Sequence, residues 1–335
     1  MELASAIPVQ LDEERLAVFA APGCSHPLKL LSETSFAEPA LLDAVCGRRF
    51  PIRWGIPRFV SDDGYAASFG EQWNRFRKTQ LDRFNGTTIS RDRFFRGTGW
   101  DAGDLVGQRV LDAGCGAGRF TQVLLDAGAE VYALDLTSAV EACWANNGPH
   151  PRLCVAQADL YAVPFRQAVF DKVLCYGTLQ HTPDPRRAFL SLVPFLRSGG
   201  EIAIDVYLRG WRLLPSKSKY LYRWLTKRMP HDTLFRIVQW YVPKWLPIDT
   251  QLKRIPKIGP LLGMLVPCWN YSHLPLTRAQ VIEWGVLDTF DALSPTYDVP
   301  QTIPEVRSWF EQAGLVDVRI REGGNGILAN GRKPS

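Results

Sequence analysis

The stretch Val110-Leu-Asp112-Ala-Gly114-Cys-Gly116-Ala-Gly118-Arg-Phe120 reads as a buried strand that runs into a glycine-rich turn and then opens a helix. Glycines at such a turn let the backbone approach a ligand closely and leave the N–H groups of the helix start free to bind it. Counted from Gly114, a dinucleotide GxGxxG fingerprint needs glycine where Arg119 stands, so a nicotinamide site is disfavoured. Outward from the turn, near-continuous apolar runs at 109–114, 130–136, 152–159, 170–177 and 201–207 alternate with helix-patterned segments. Such runs suit strands buried on both faces. One helix is predicted from Asp184 to Leu196, with Pro185 in its first turn and Gly199-Gly200 past its end.

Five alternations predict an α/β fold, a doubly wound, mostly parallel, Rossmann-like sheet. A helix over 305–313 ending at Gly314, and runs at 316–321 and 326–330 joined by Glu322-Gly-Gly-Asn325, predict a closing antiparallel hairpin. Over 24–60 the runs are short and broken by Pro and Gly, which suits a small β-rich module, and Ser68 to Gln80 reads as a joining helix with Phe69, Trp73 and Phe76 on one face. The organisation is therefore 1–60 module, 61–108 linker and covering helices, 109–208 core, 209–302 cap insertion and 303–335 final helix and hairpin.

The chain has 335 residues, 46% apolar and 22% charged, which excludes a disordered or fibrous protein. No run approaches the ~20 apolar residues of a membrane span. The acidic start, Glu2, Asp12, Glu13 and Glu14 against Arg15, is unlike a secretory signal. Seven cysteines without a CxxC pair suggest reduced thiols and a cytoplasmic location. The net charge of +5 is uneven: 209–258 holds twelve Lys/Arg against Asp232 and Asp249, or +10, and the remaining 27 basic and 32 acidic residues leave −5. That asymmetry hints at an acidic partner or an anionic surface.

The run Asp112-Ala-Gly114-Cys-Gly116-Ala-Gly118 resembles the first motif of the class I S-adenosylmethionine-dependent methyltransferases, and the resemblance spans 109–208 and the terminal hairpin. It implies S-adenosyl-L-methionine as cofactor. Asp112, Gly114, Cys115, Gly116 and Gly118 would then form the turn facing its methionine part, Asp135 with Leu136 would meet the ribose diol, and Asp159 with Leu160 the adenine amine. Arg119, Phe120 and Tyr176 flank these motifs as further cofactor candidates; Arg119 is equally readable as a solvated first-turn residue and Phe120 as core. The same family places methyl transfer after the fourth strand, here Cys175-Tyr-Gly-Thr-Leu-Gln-His181-Thr-Pro-Asp184, where His181 is a candidate proton acceptor. This loop lacks the Asn/Asp-Pro-Pro-aromatic signature of enzymes that methylate exocyclic base amines, and no cysteine sits in a cytosine-C5 motif. The implied activity is methyl transfer to an oxygen, or a nitrogen, of a small-molecule, lipid-linked or sugar-linked acceptor. RNA methylation and a non-catalytic cofactor-binding module are the alternatives.

Residues 24–60 resemble a zinc-ribbon module of the methyltransferase-activator type through Cys46-Gly47 and Phe50-Pro-Ile-Arg-Trp-Gly-Ile-Pro57. Its ligand set is degenerate: Asp43 stands where a cysteine belongs, and only Cys24, with His26 nearby, remains of the first pair, so no metal is expected. Phe69 to Asp82 resembles a segment of bacterial methyltransferases fused to such modules, whose helix covers the cofactor; packing of the module is the other explanation of Trp73 and Phe76. The basic segment 209–258 interleaves its charges with Trp211, Tyr220, Tyr222, Trp224, Phe235, Trp240, Tyr241 and Trp245. Its readings are a lid over an anionic or lipid-linked acceptor, a plain helical cap with core aromatics and solvated charges, an anionic membrane surface and nucleic acid, the last the least favoured. Prolines 215, 230, 243, 247, 256 and 260 predict short helices and favour a cap over one long interfacial helix. The turn-rich stretch 287–302 offers Tyr297 and Asp298 as further acceptor-site residues.

Overall fold

The structure, a computed structural model, describes residues 11–32, 38–61, 64–209, 219–263 and 265–335; Trp211 and Pro215 lie outside the described residues. Helix α1 (Glu13–Leu16) precedes an antiparallel four-stranded sheet of β1 (Leu28–Leu31), β2 (Ala40–Asp43), β3 (Arg49–Arg53) and β4 (Ile56–Pro57). Phe50 and Ile52, two apart on β3, point into its core, as the strand period demands. The module docks on the main sheet through Phe19, whose ring lies 4.9 Å from that of Phe165, and through Phe59 N–H, which donates to the Gln157 carbonyl at 2.8 Å.

Three helices, α2 (Ala67–Arg75), α3 (Asp82–Asn85) and α4 (Ile89–Thr98), lead into the core. There β5 (Arg109–Ala113), α5 (Arg119–Asp126), β6 (Glu130–Asp135), α6 (Ala139–Asn147), β7 (Leu153–Gln157), β8 (Phe170–Cys175), α7 (Pro185–Leu192) and β9 (Leu196–Val206) alternate. The cap contributes α8 (Lys219–Thr226), α9 (His231–Leu252), α10 (Ile258–Gly263) and α11 (Arg278–Leu293), and the chain closes with α12 (Ile303–Gln312), β10 (Val316–Gly323) and β11 (Gly326–Arg332). The seven-stranded sheet runs β10-β11-β9-β8-β5-β6-β7; β5 to β9 are parallel, and β11 returns antiparallel beside β9. The chain order reverses at β5, so the glycine turn sits at the switch point where open α/β sheets bind ligands. Local signals hold the frame: Asp184 caps α7 by accepting from Arg187 N–H with Pro185 in the first turn, and Thr302 with Glu305 forms a capping box on α12.

Four boundaries differ from the sequence expectation. β9 begins at Leu196, not Glu201; Gly199, at φ +75°, makes an irregularity within the strand opposite Phe170–Lys172 and does not mark a helix end. α2 ends at Arg75, and hydrogen-bonded turns carry the chain on to Gln80. The stretch expected as loop from 287 is helical to Leu293, because Arg223 Nη1 and Nη2 and Thr226 Oγ1 cap the last carbonyls of α11 and the turn after it. Finally, α9 is one continuous 22-residue helix that contains Pro243 and Pro247. An internal proline costs about 3 kcal/mol or more, and burial of Leu234, Phe235, Val238, Val242 and Leu246 against Val281, Val286, Phe290 and Leu293 of α11 offsets it.

Candidate active site

Gly114, Gly116 and Gly118 all adopt positive φ, at +83°, +52° and +81°. A Cβ on Gly114 would lie 2.2 Å from Thr178 Oγ1, and one on Gly118 2.2 Å from Asn147 Nδ2, so both conformation and space demand glycine. The turn is tied to the next strand by Gly116 N–H, which donates to Asp135 Oδ2 at 2.9 Å, while Thr137 donates to Asp135 Oδ1 through N–H at 2.9 Å and Oγ1 at 2.8 Å. Trp73 of α2 lies over the turn: a Cβ on Gly116 would be 3.2 Å from its Nε1.

Beyond the turn opens a cavity of about 1860 Å³ at the carboxyl edge of the sheet, walled on the far side by α2, α8 and α11. Pockets for a single drug-sized ligand are about 300–1,000 Å³, so this one has room for two molecules. Its wall includes Gly114, Cys115, Gly116, Arg119, Phe120, Asp135, Leu136, Leu160, Tyr176 and His181 among the sequence candidates. These residues suit S-adenosylmethionine: a glycine cradle that side chains would fill, a strand-end carboxylate beside it, and the Tyr176 hydroxyl, buried without a hydrogen-bond partner among the described residues.

Five candidates lie off the wall. Asp112 is buried beneath the turn, accepts from Thr121 Oγ1 at 2.6 Å and is pushed up to about 7 by burial, so it fastens α5 to β5. Gly118 is the N-cap position of α5. Asp159 accepts from Tyr161 N–H at 3.0 Å and caps a short 3-10 turn. Asp298 is closed by an ion pair: Lys219 Nζ lies at 2.5 Å, Tyr220 OH donates at 2.9 Å and Arg223 Nε is 3.9 Å away. Burial would raise its pKa, but these cations and His181 hold it below the usual range. Tyr297 gives its carbonyl to His181 and packs its ring edge-on against Tyr65 at 5.4 Å. Asp298 is therefore a positioning residue and not the acceptor-site residue expected, because Lys219 and Tyr220 hold its two oxygens, while Tyr297 lies off the wall and positions His181 through its backbone carbonyl.

His181 does line the cavity, on a short turn after β8, with its ring 4.9 Å from Phe69 and 5.4 Å from Tyr207. Nδ1 lies 3.1 Å from the Tyr297 carbonyl, an acceptor, so Nδ1 carries the hydrogen and Nε2 keeps a lone pair. Burial pushes its pKa down to about 4, leaving a neutral imidazole. Arg119 donates from Nε to Ser90 Oγ at 2.8 Å and from Nη1 to Gln80 Oε1 at 2.9 Å; burial and the neighbouring Arg93 charge bring it down to about 10. Phe120 is both wall and core, meeting Tyr176 edge-on at 5.6 Å. Burial raises the Cys115 thiol well above its ordinary value, so it is neutral.

The sequence reading missed the carboxylates of α11. Asp288 and Asp291, three apart on the helix, both face the cavity. Asp288 accepts from Gln80 Nε2 at 3.0 Å and from the Tyr271 hydroxyl, and burial raises its pKa. Asp291 Oδ1 accepts from Gln72 Nε2 at 3.0 Å, and burial, then the Asp288 charge, push Asp291 up to about 7. Their spacing was the available signal, hidden because 287–302 read as loop. Asp205, at the end of β9, accepts from Arg93 Nη2 at 2.7 Å and from Gly177 N–H, which makes it an ion-pair anchor.

Away from the cavity, Cys24, His26, Asp43 and Cys46 converge with donor atoms within 4.8 Å of one another. Asp43 accepts from Cys46 Sγ at 2.7 Å and from Val45 N–H at 2.9 Å, and the Cys46 thiol above all holds its carboxyl well below the usual range. The sequence reading treated this ligand set as degenerate; in space it has four donors of types that zinc accepts, so zinc content is a question for elemental analysis.

Residues 111–204 match a family model described as a methyltransferase domain. The chain is 38% identical over 106 residues to an uncharacterized protein of Synechococcus sp., covering 30% of this chain and 25% of that protein. It is 29% identical over 187 residues to a ubiquinone biosynthesis O-methyltransferase of Xanthomonas oryzae pv. oryzae, covering 53% of this chain and 74% of the relative. Among solved structures, an S-adenosylmethionine-dependent methyltransferase from Mesorhizobium loti aligns with a TM-score of 0.40 at 16% identity, over 68% of this chain and 92% of that one. No described helix is long and apolar enough to cross a membrane. Over residues 111–204 the chain carries a methyltransferase domain.

Proposed function

We propose that the protein methylates a hydroxyl oxygen of a small molecule and that Asp291 accepts the proton released. The observation that carries this is a carboxylate on the cavity wall, held by Gln72 at one oxygen and poised near neutrality. S-adenosylmethionine, when bound, supplies an electrophilic methyl group on a good leaving group. The carbon–sulfur bond breaks as the carbon–oxygen bond forms, and the hydroxyl proton passes to Asp291 and then to solvent. Asp135 is assigned to the ribose hydroxyls, and the glycine turn to the methionine part. His181 is the weaker proton acceptor, since an imidazole pushed down to about 4 holds a proton poorly at neutral pH. It is better suited to accept a hydrogen bond from the acceptor through Nε2 and so orient it. Orientation of this kind is worth about 7–11 kcal/mol in well-aligned reactions. The O-methyltransferase name of the Xanthomonas relative supports oxygen as the methylated atom.

The test is turnover with a panel of phenols and other hydroxylated acceptors, read as demethylated cofactor released. Removing a general base costs about 10²–10⁴-fold in rate. Asp291→Asn is expected to lose that factor, leave cofactor affinity unchanged and abolish a rate limb rising through about pH 7. Unchanged turnover in Asp291→Asn sinks the assignment.

A further inference from the structure

The outer face of the cap exposes large apolar side chains interleaved with basic ones. In α9 the stripe Leu234, Val238, Val242 and Leu246 is buried, while Ile237, Trp240 and Ile248 on the opposite side are 44%, 67% and 48% exposed. Neighbouring helices continue the pattern: Leu221, Trp224 and Leu225 share one exposed face of α8, and Ile258 and Leu261 are exposed on α10. Tyr222 OH of α8 donates to the Leu265 carbonyl just past α10, which ties these helices together. Soluble surfaces scatter their apolar residues singly; contiguous runs of this kind mark an interaction face.

Charge identifies the partner. Between 219 and 263 the described exposed cations are Lys227, Arg228, Arg236, Lys244, Lys253, Arg254 and Lys257, and the one described exposed anion there is Asp232. Lys244 Nζ sits 3.7 Å from the centroid of the Trp240 ring, so a cation and an interfacial aromatic share one spot. Tryptophan prefers the headgroup level of a bilayer, and lysine and arginine there meet anionic lipid. We infer that the outer face of α8, α9 and α10 docks on an anionic lipid surface as an interfacial patch, with Trp224 and Trp240 inserting among the headgroups. The unbroken α9, where the sequence predicted short pieces, supplies the continuous stripe that such docking needs.

The same α8 also carries Lys219 and Tyr220 on the cavity wall. A docked molecule thus holds one wall of its cavity on a membrane-bound helix, which extends the proposed small-molecule acceptor to one borne by the lipid phase. This extension alone rests on the functional reading; the docking does not.

The experiment is co-sedimentation of the full chain with vesicles of phosphatidylcholine alone and of phosphatidylcholine with one quarter phosphatidylglycerol, without any acceptor. Binding to the anionic vesicles is expected to be at least tenfold stronger, to fall at least tenfold at 0.5 M salt, and to shift tryptophan emission to the blue. The double variant Trp224→Ser, Trp240→Ser should lose tenfold or more in vesicle binding while its cofactor affinity and denaturation midpoint stay unchanged. Equal partitioning to both vesicles, or none, overturns the inference. So does concentration-dependent self-association that the double variant abolishes, which would make a second copy the partner, or salt-sensitive RNA binding with no vesicle binding.

Discussion

The two walls of the cavity are built by different means. The sheet-side wall, from β5, β6 and their turns, is fixed by backbone: positive-φ glycines, a strand register and main-chain hydrogen bonds from the Gly114 and Cys115 N–H groups to the Leu134 carbonyl. The cap-side wall, from α2, α8 and α11, is fixed by polar side chains that bridge distant segments, such as Gln72 to Asp291, Gln80 to Asp288 and Lys219 to Asp298. A wall made of backbone is written in a short motif and tolerates little change. A wall made of side-chain pairs can be re-specified by a few substitutions, which suits the half of a site that must choose an acceptor.

The largest effect on this contrast is expected in the cap. Asp298→Ala strands the Lys219 ammonium, whose side chain is only 5% exposed, and removing one partner of a buried pair costs about 3–5 kcal/mol. Chemical denaturation should show the cap melting ahead of the sheet, whereas Asp298→Leu with Lys219→Met should recover much of the loss. A single cooperative transition with unchanged midpoint in Asp298→Ala would show that the two walls are not separately built.

On the sheet side, Asp135→Ala should weaken cofactor binding by about 1–3 kcal/mol, the cost of leaving buried hydroxyls without their partner. Calorimetry with the demethylated cofactor reads this directly; wild-type affinity would remove Asp135 from the ribose site.

The gentlest effect is graded with pH. His181 is buried neutral and titrates near 4 when folded, against about 6.5 in an unfolded chain. Between those values the unfolded state binds a proton that the folded state refuses, so the His181 contribution to stability is full above about pH 6.5 and is lost as pH falls toward 4, while Asp112 and Asp291, raised to about 7, contribute with the opposite sign over the same range. The depressed Asp298 carboxyl adds loss of the same sign as His181 at lower pH. His181→Phe should flatten the upper part of this decline in thermal melts, and an unchanged slope would show that the imidazole is not the source.

The same division governed what could be read from sequence. The order of the parallel strands, the glycine turn and the terminal hairpin were legible because each is a local pattern with a backbone cause. Asp288 and Asp291 were not, because their importance comes from Gln80 and Gln72, more than two hundred residues earlier in the chain. Tyr297 and Asp298 looked available for chemistry for the complementary reason: nothing local shows that Lys219, Tyr220 and Arg223 occupy the carboxylate. Pro243 and Pro247 misled because proline's local cost is visible in a sequence and the packing on α11 that outweighs it is not.

Those two prolines, four residues apart, have one more effect. Proline has no N–H, so the carbonyls of Gln239 and Pro243 cannot receive the amide that α-helical spacing would send them. In hydrocarbon an unmet carbonyl costs several kcal/mol, while in the hydrated headgroup layer water satisfies it. If α9 docks on a bilayer as inferred above, the pair would act as a depth stop: the helix could float at the water line but would be penalised for sinking below it, so docking would stay reversible.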